Sequence, residues 1–155
     1  MVYAAELLNR VIDGVEGVRL GIHVCRGNWS RDEAVLLSGD YAPLLPAFEA
    51  MQVQQYVLEY ATPRAGEIGI VGRALGHKEI GLGVVNPRTA EPESVDWISQ
   101  QVEQALAYFR PEAIFLNPDC GFGCFANRCV NDEQTAFEKL KRIVRSAEIL
   151  RERYG

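Results

Sequence analysis

The sequence has no long apolar run, no basic stripe and no internal repeat, and each absence removes a class of function. Nothing in its 155 residues approaches the length of a transmembrane helix. The opening Met1-Val2-Tyr3-Ala4-Ala5-Glu6-Leu7-Leu8 lacks the basic region and sustained apolar core of a secretory signal, so the expected compartment is the cytoplasm. A formal net charge of −5 without a cationic pattern argues against nucleic acid as a partner. Lysine and arginine cluster only from Lys139 to Arg153, interleaved with Glu138, Glu148 and Glu152, which predicts the solvated face of a helix. No low-complexity tract or linker divides the chain, and 1–155 is expected to be one domain. Cysteine is sparse. In a reducing cytosol Cys25, Cys120, Cys124 and Cys129 are expected to be ligands or free thiols rather than disulfides.

What is present is the composition of an ordinary globular protein, 48% hydrophobic and 24% charged, long enough to bury a core. Residues 4–16 carry Leu7, Leu8, Val11, Ile12 and Val15 at helical spacing, and Gly14 and Gly17 follow as breakers. A first strand runs from Val18 through Ile22 and ends at His23 and Cys25. After a polar loop, Tyr41, Leu44, Leu45, Phe48 and Met51 predict a helix with Pro43 and Pro46 near its start. Tyr56 to Tyr60 predicts the second strand, and the Gly-interrupted stretch from Arg64 to Leu75 a short, poor helix. Ile80 to Val85 is the third strand. Ser94 caps a helix whose stripe is Val95, Ile98, Val102, Leu106 and Phe109. Ala113 to Leu116 is the fourth strand. Asn131 with Gln134 reads as a capping box for a last helix burying Phe137, Leu140, Ile143, Val144, Ala147 and Leu150. Strands and helices alternate, and the strands are short and apolar without clear alternation. The fold class is therefore α/β, with four parallel β/α units whose sheet is covered by helices.

In such folds chemistry gathers where strands end. His23 and Cys25 are two residues apart, on one face of an extended strand end, and an imidazole beside a thiol is half of a zinc site. Glu59 ends the second strand and Cys120 the fourth, at the same level. Two thiols, one imidazole and one carboxylate suit tetrahedral zinc. Each residue also has an ordinary reading: Glu59 as a solvated carboxylate pairing with Arg64, Cys120 as a small core residue, His23 as a satisfied buried histidine. Cys120-x3-Cys124-x4-Cys129 fits neither a zinc ribbon nor a ferredoxin spacing, so the last two read as loop thiols. Gly81-x-Gly83 lies inside a strand and lacks the third glycine of a dinucleotide fingerprint.

The motifs His23-Val24-Cys25-Arg26-Gly27-Asn28, Leu58-Glu59-Tyr60, Gly81-Leu82-Gly83-Val84-Val85 and Asn117-Pro118-Asp119-Cys120-Gly121 together resemble the C-terminal catalytic barrel of cobalamin-independent methionine synthase, the short single-barrel bacterial homologues above all. The resemblance implies the second half of a (β/α)8 TIM barrel. It also implies catalytic Zn2+ held by His23, Cys25, Glu59 and Cys120, and methyl transfer from a methyltetrahydrofolate-type donor to the thiol of homocysteine, giving methionine. Glu59, the hard ligand among softer ones, would be the one to loosen as substrate sulfur arrives.

Two departures accompany the resemblance. Where the synthases proper carry a histidine taken to be an acid, this chain has Arg88, either a substrate-carboxylate contact or an exposed turn arginine. The chain is also too short for a whole barrel. Four strands alone leave two open edges, which points to a fragment, a split-gene product, or a half-barrel pairing with itself or a partner chain. Alkyl transfer to another thiol such as coenzyme M, and a non-catalytic zinc-binding half-barrel, remain as alternatives.

Overall fold

A computed structural model describes residues 2–123, 125, 127 and 129–155. Its frame is one sheet of four parallel strands in sequence order: β1 (Gly21–Val24), β2 (Gln55–Leu58), β3 (Glu79–Val85) and β4 (Ile114–Pro118). The helices are α1 (Val2–Ile12), α2 (Leu45–Ala50), α3 (Ile68–Leu75), α4 (Val95–Ala105) and α5 (Glu133–Tyr154). The expected α/β architecture of parallel β/α units is therefore what the chain adopts.

Register explains the two faces of the sheet. Tyr56, Leu58, Ile80, Leu82 and Val84 are all buried, and with Phe48, Val71, Leu75, Ile98 and Phe109 they make the core beneath the helices. His23, Val57, Gly81 and Phe115 form one row across the other face. That face is strongly curved, because side chains from the outer strands meet across it. Cys25 Sγ, following β1, lies 3.5 Å from Cys120 Sγ, following β4, and the Arg19 guanidinium sits 5.2 Å from the centre of the Phe115 ring.

Local sequence accounts for the helices. Ser94 accepts a hydrogen bond from the Trp97 N–H at 3.1 Å and Asp96 occupies the first turn, so α4 starts as expected. The glycines that weaken α3 on propensity serve packing. A Cβ at Gly72 would lie 2.5 Å from Tyr108 Cβ, so only glycine lets that ring settle against the helix.

Helix α5 departs from expectation in three ways. Its cap is Asp132, which accepts the Thr135 N–H at 2.7 Å, whereas Asn131 is buried and its amide reaches back to the Pro87 and Thr89 carbonyls. Lys139 is fully buried rather than solvated; its Nζ donates to Thr89 Oγ1, the Glu91 carbonyl and Glu93 Oε2. The inward stripe is accordingly Lys139, Ile143, Ser146 and Leu150, and Phe137, Leu140 and Val144 face outward. The buried ammonium meets three acceptors, which offsets the cost of taking its charge out of water.

The flanks of the half-cylinder carry unpaired apolar surface. On α1 only Ala5 is buried, and Tyr3, Leu7, Leu8 and Val11 are exposed. Beyond β4, a groove of about 650 Å³ is lined by Phe115, Leu116, Val144, Ala147, Leu150 and Tyr154. No helix among the described residues is long and apolar enough to cross a membrane.

Candidate metal centre

The ends of β1, β2 and β4 bring His23, Cys25, Glu59 and Cys120 together. One ligand atom from each lies within 4.8 Å of all the others. Three of the strand ends that chemistry singled out in the sequence thus converge, although 95 residues separate Cys25 from Cys120. The Sγ–Sγ separation of 3.5 Å is close to the roughly 3.8 Å that two thiolates take around a tetrahedral zinc ion.

The surroundings favour this donor set. His23 Nδ1 lies 3.1 Å from the Val57 carbonyl, a contact that orients the ring. The Gly27 N–H points at Cys25 Sγ from 3.3 Å and fixes the position of that sulfur. His23 and Cys25 are exposed on the open face, whereas Glu59 is buried. Glu59 does pair with Arg64, at 3.1 Å, but the pair is buried, not solvated, and Glu59 Oε1 also accepts the Arg26 N–H at 3.0 Å.

Glycine at position 83 makes room for the site. A Cβ there would lie 2.7 Å from the Leu58 carbonyl and 3.1 Å from Glu59 Cα, and would run into the Asp119 carboxylate. The Gly81-x-Gly83 pattern is therefore a device for close approach between strand ends, not a nucleotide loop.

Arg88 is 3% exposed, which overturns its reading as an exposed turn residue. Its Nε donates to Glu33 Oε1 at 2.8 Å, Nη2 lies 4.0 Å from Asp119 Oδ2, and both Nη atoms are buried without a hydrogen bond.

Two further charged residues complete the site. Asp119 is fully buried; Oδ1 accepts the Tyr60 and Ala61 N–H groups at 2.9 and 2.8 Å. Burial pushes its carboxyl up to about 7, and the nearby Glu59 charge adds to the rise, against the Ala61 and Tyr60 N–H groups and Arg88. Glu33 lies between Arg88 and Arg64, 3.4 Å from Arg64 Nη1. Partial burial disfavours its charge, but hydrogen bonds from Arg88 and Asn86 outweigh that and hold its carboxyl below the usual range. Asp119 was visible in the Asn-Pro-Asp-Cys-Gly motif without a role; Glu33 lies in a polar loop that carries no signal.

Of the loop thiols, Cys129 is exposed, 3.9 Å from the Phe125 carbonyl, and is outside the four-residue cluster. Cys124 lies outside the described residues.

Residues 22–149 match the catalytic domain of the cobalamin-independent synthase family. The chain belongs to that family. Over 151 residues it is 33% identical to the methionine synthase of Thermococcus kodakarensis, covering 96% of this chain and 38% of that protein. The methionine synthase of Pyrococcus abyssi is 31% identical over 148 residues, with the same coverage. This synthase-family chain therefore spans well under half the length of these curated relatives. In structure it superposes on a B12-independent methionine synthase from Shewanella sp. W3-18-1, solved with selenomethionine, with a TM-score of 0.81 at 17% identity. That likeness of fold covers 97% of this chain and 43% of the other, so the four β/α units are half of a barrel.

Proposed function

We propose that this chain is the metal-binding half of a zinc-dependent thiol methyltransferase, with homocysteine as acceptor, a methyltetrahydrofolate-type donor and methionine as product. The observation that carries the reading is the convergence of His23, Cys25, Glu59 and Cys120 from three strand ends. Their donor set suits zinc, and family membership supports the same metal. Zinc bound there supplies one thing, a substrate thiol kept deprotonated at neutral pH. The chain's own residues do the rest. Val57 orients His23, the Gly27 N–H contacts Cys25 Sγ, and Glu59 would be the hard oxygen ligand, the one to yield to incoming sulfur. Arg88, with two buried Nη groups free of hydrogen bonds, is the contact for a substrate carboxylate.

The half-barrel needs a complement, and helix count supports one kind over another. A closed eight-stranded barrel has one helix per strand. Two copies of this chain would bring eight strands but ten helices, two more than that count. A segment of four strands and three helices would meet it, with its first strand beside β4 and its last beside β1. The reducing cytoplasm suits the two thiol ligands.

Metal analysis of the purified protein tests the reading. Near-stoichiometric zinc is expected, with loss on Cys25→Ser or Cys120→Ser. Zinc retained in full by both variants defeats the assignment.

A further inference from the structure

Glu59 is held from two sides. Its Oε1 accepts the Arg26 backbone N–H at 3.0 Å and its Oε2 pairs with Arg64 Nη2 at 3.1 Å. In this same position an oxygen of the carboxylate is within reach of the other three cluster ligands. Glu59 is 1% exposed and the Arg64 side chain 8%, so water screens neither. The carboxylate stands between the proposed metal position and a buried guanidinium.

The guanidinium is itself fixed. Arg64 Nη1 lies 3.4 Å from Glu33 Oε2, and the other Glu33 oxygen takes Arg88 Nε and Asn86 Nδ2 at 2.8 and 3.1 Å. Three loops thus build a chain of alternating charge, Arg88–Glu33–Arg64–Glu59, that ends on one metal-ligand candidate. Arg64 Nε and Nη1 are buried and make no hydrogen bond, Nη1 lying toward Glu33, so the guanidinium keeps donors that a shifted carboxylate could use.

A buried carboxylate that loses its cation costs several kcal/mol. A ligand meant to yield to substrate therefore needs somewhere to go. We infer that Arg64 is a positioning residue that receives Glu59 when a substrate thiol takes its place, so the carboxylate changes partner without losing its counter-charge. The thiol proton passes to solvent. The inference rests on the zinc reading above and adds a sign to it. Arg64 competes with the metal for Glu59, so it weakens metal binding; it shelters the displaced carboxylate, so it strengthens thiol binding. A residue that only props up the fold would change both in the same direction.

The test compares the wild-type protein with Arg64→Met and Arg64→Lys. Zinc affinity is read by competition with a chromophoric chelator. Thiol affinity is read by titrating 2-mercaptoethanol into the cobalt-loaded protein and following the thiolate-to-metal charge-transfer band. Arg64→Met should bind zinc at least about tenfold more tightly and the thiol at least about tenfold more weakly, the scale of one charged hydrogen bond. Arg64→Lys, which keeps the charge and loses the fork, should fall between on both axes and carries the test where the methionine variant does not fold. Zinc bound more weakly, or both affinities unchanged, overturns the inference while leaving the zinc site standing. A wild-type protein that binds no zinc removes the site and the inference together.

Discussion

Replacing Gly83 by alanine separates a structural account of the site from a coincidence of motifs. Glycine-to-alanine changes in a strand ordinarily help by roughly 0.5–1 kcal/mol, because glycine loses the most conformational freedom on folding. Here the new methyl would lie 2.7 Å from the Leu58 carbonyl and 3.1 Å from Glu59 Cα, and would meet the Asp119 carboxylate. The first two are backbone atoms of β2 and of the residue that follows it, and Asp119 is fully buried with Oδ1 committed to two N–H groups. None is the free end of a flexible side chain. The clash is therefore relieved by moving β2 away from β3, at about 3 kcal/mol, the upper part of the overpacking range. For a chain of this length that is a fall in Tm of roughly 6–12 °C. Scanning calorimetry of the metal-free protein reads it, and zinc titration reads the displacement of Glu59 as a weaker affinity. A Gly83→Ala protein as stable as wild type, with unchanged zinc affinity, would refute the close approach between β2, β3 and the end of β4.

Glu33 gives a pH dependence with a defined sign. Its carboxyl lies below its ordinary value of 4.5 in the folded protein, because hydrogen bonds from Arg88 and Asn86 outweigh partial burial, so its contribution is present above that pH and lost as pH falls through the folded value. The stability deficit of Glu33→Gln in urea denaturation should be full at pH 7 and shrink as pH falls below 4.5; a constant deficit would contradict the Arg88 and Arg64 contacts. On α5, Val144→Lys should change stability by no more than about 0.5 kcal/mol and Ile143→Lys should cost several times that. Equal losses would return Val144 to the core.

The order of elements could be read from the sequence because it is encoded locally. Apolar spacing at Ile98 and Val102, the Ser94 cap, and runs such as Ile80 to Val85 need no knowledge of the rest of the chain. Convergence of His23, Cys25, Glu59 and Cys120 could also be read, since parallel β/α units put all strand ends on one edge. Helix α5 misled because it carries apolar residues on more than one face. What decides between the faces is Lys139, whose acceptors at Thr89, Glu91 and Glu93 are 46 to 50 residues away. The charged chain through Glu33, Arg64 and Arg88 was invisible for the same reason, as each member sits on a different loop and no local spacing relates them. The apolar stripe of α1 could be read but is exposed here, with only Ala5 of that helix buried.

X-ray absorption at the zinc edge of the loaded protein tests the central claim most directly. The account predicts a four-coordinate shell with two sulfurs at about 2.3 Å and two nitrogen or oxygen ligands at roughly 2.0–2.2 Å. Cys120→Ser should reduce the sulfurs to one. A shell of nitrogen and oxygen alone, or a sulfur count indifferent to Cys25 and Cys120, would contradict it.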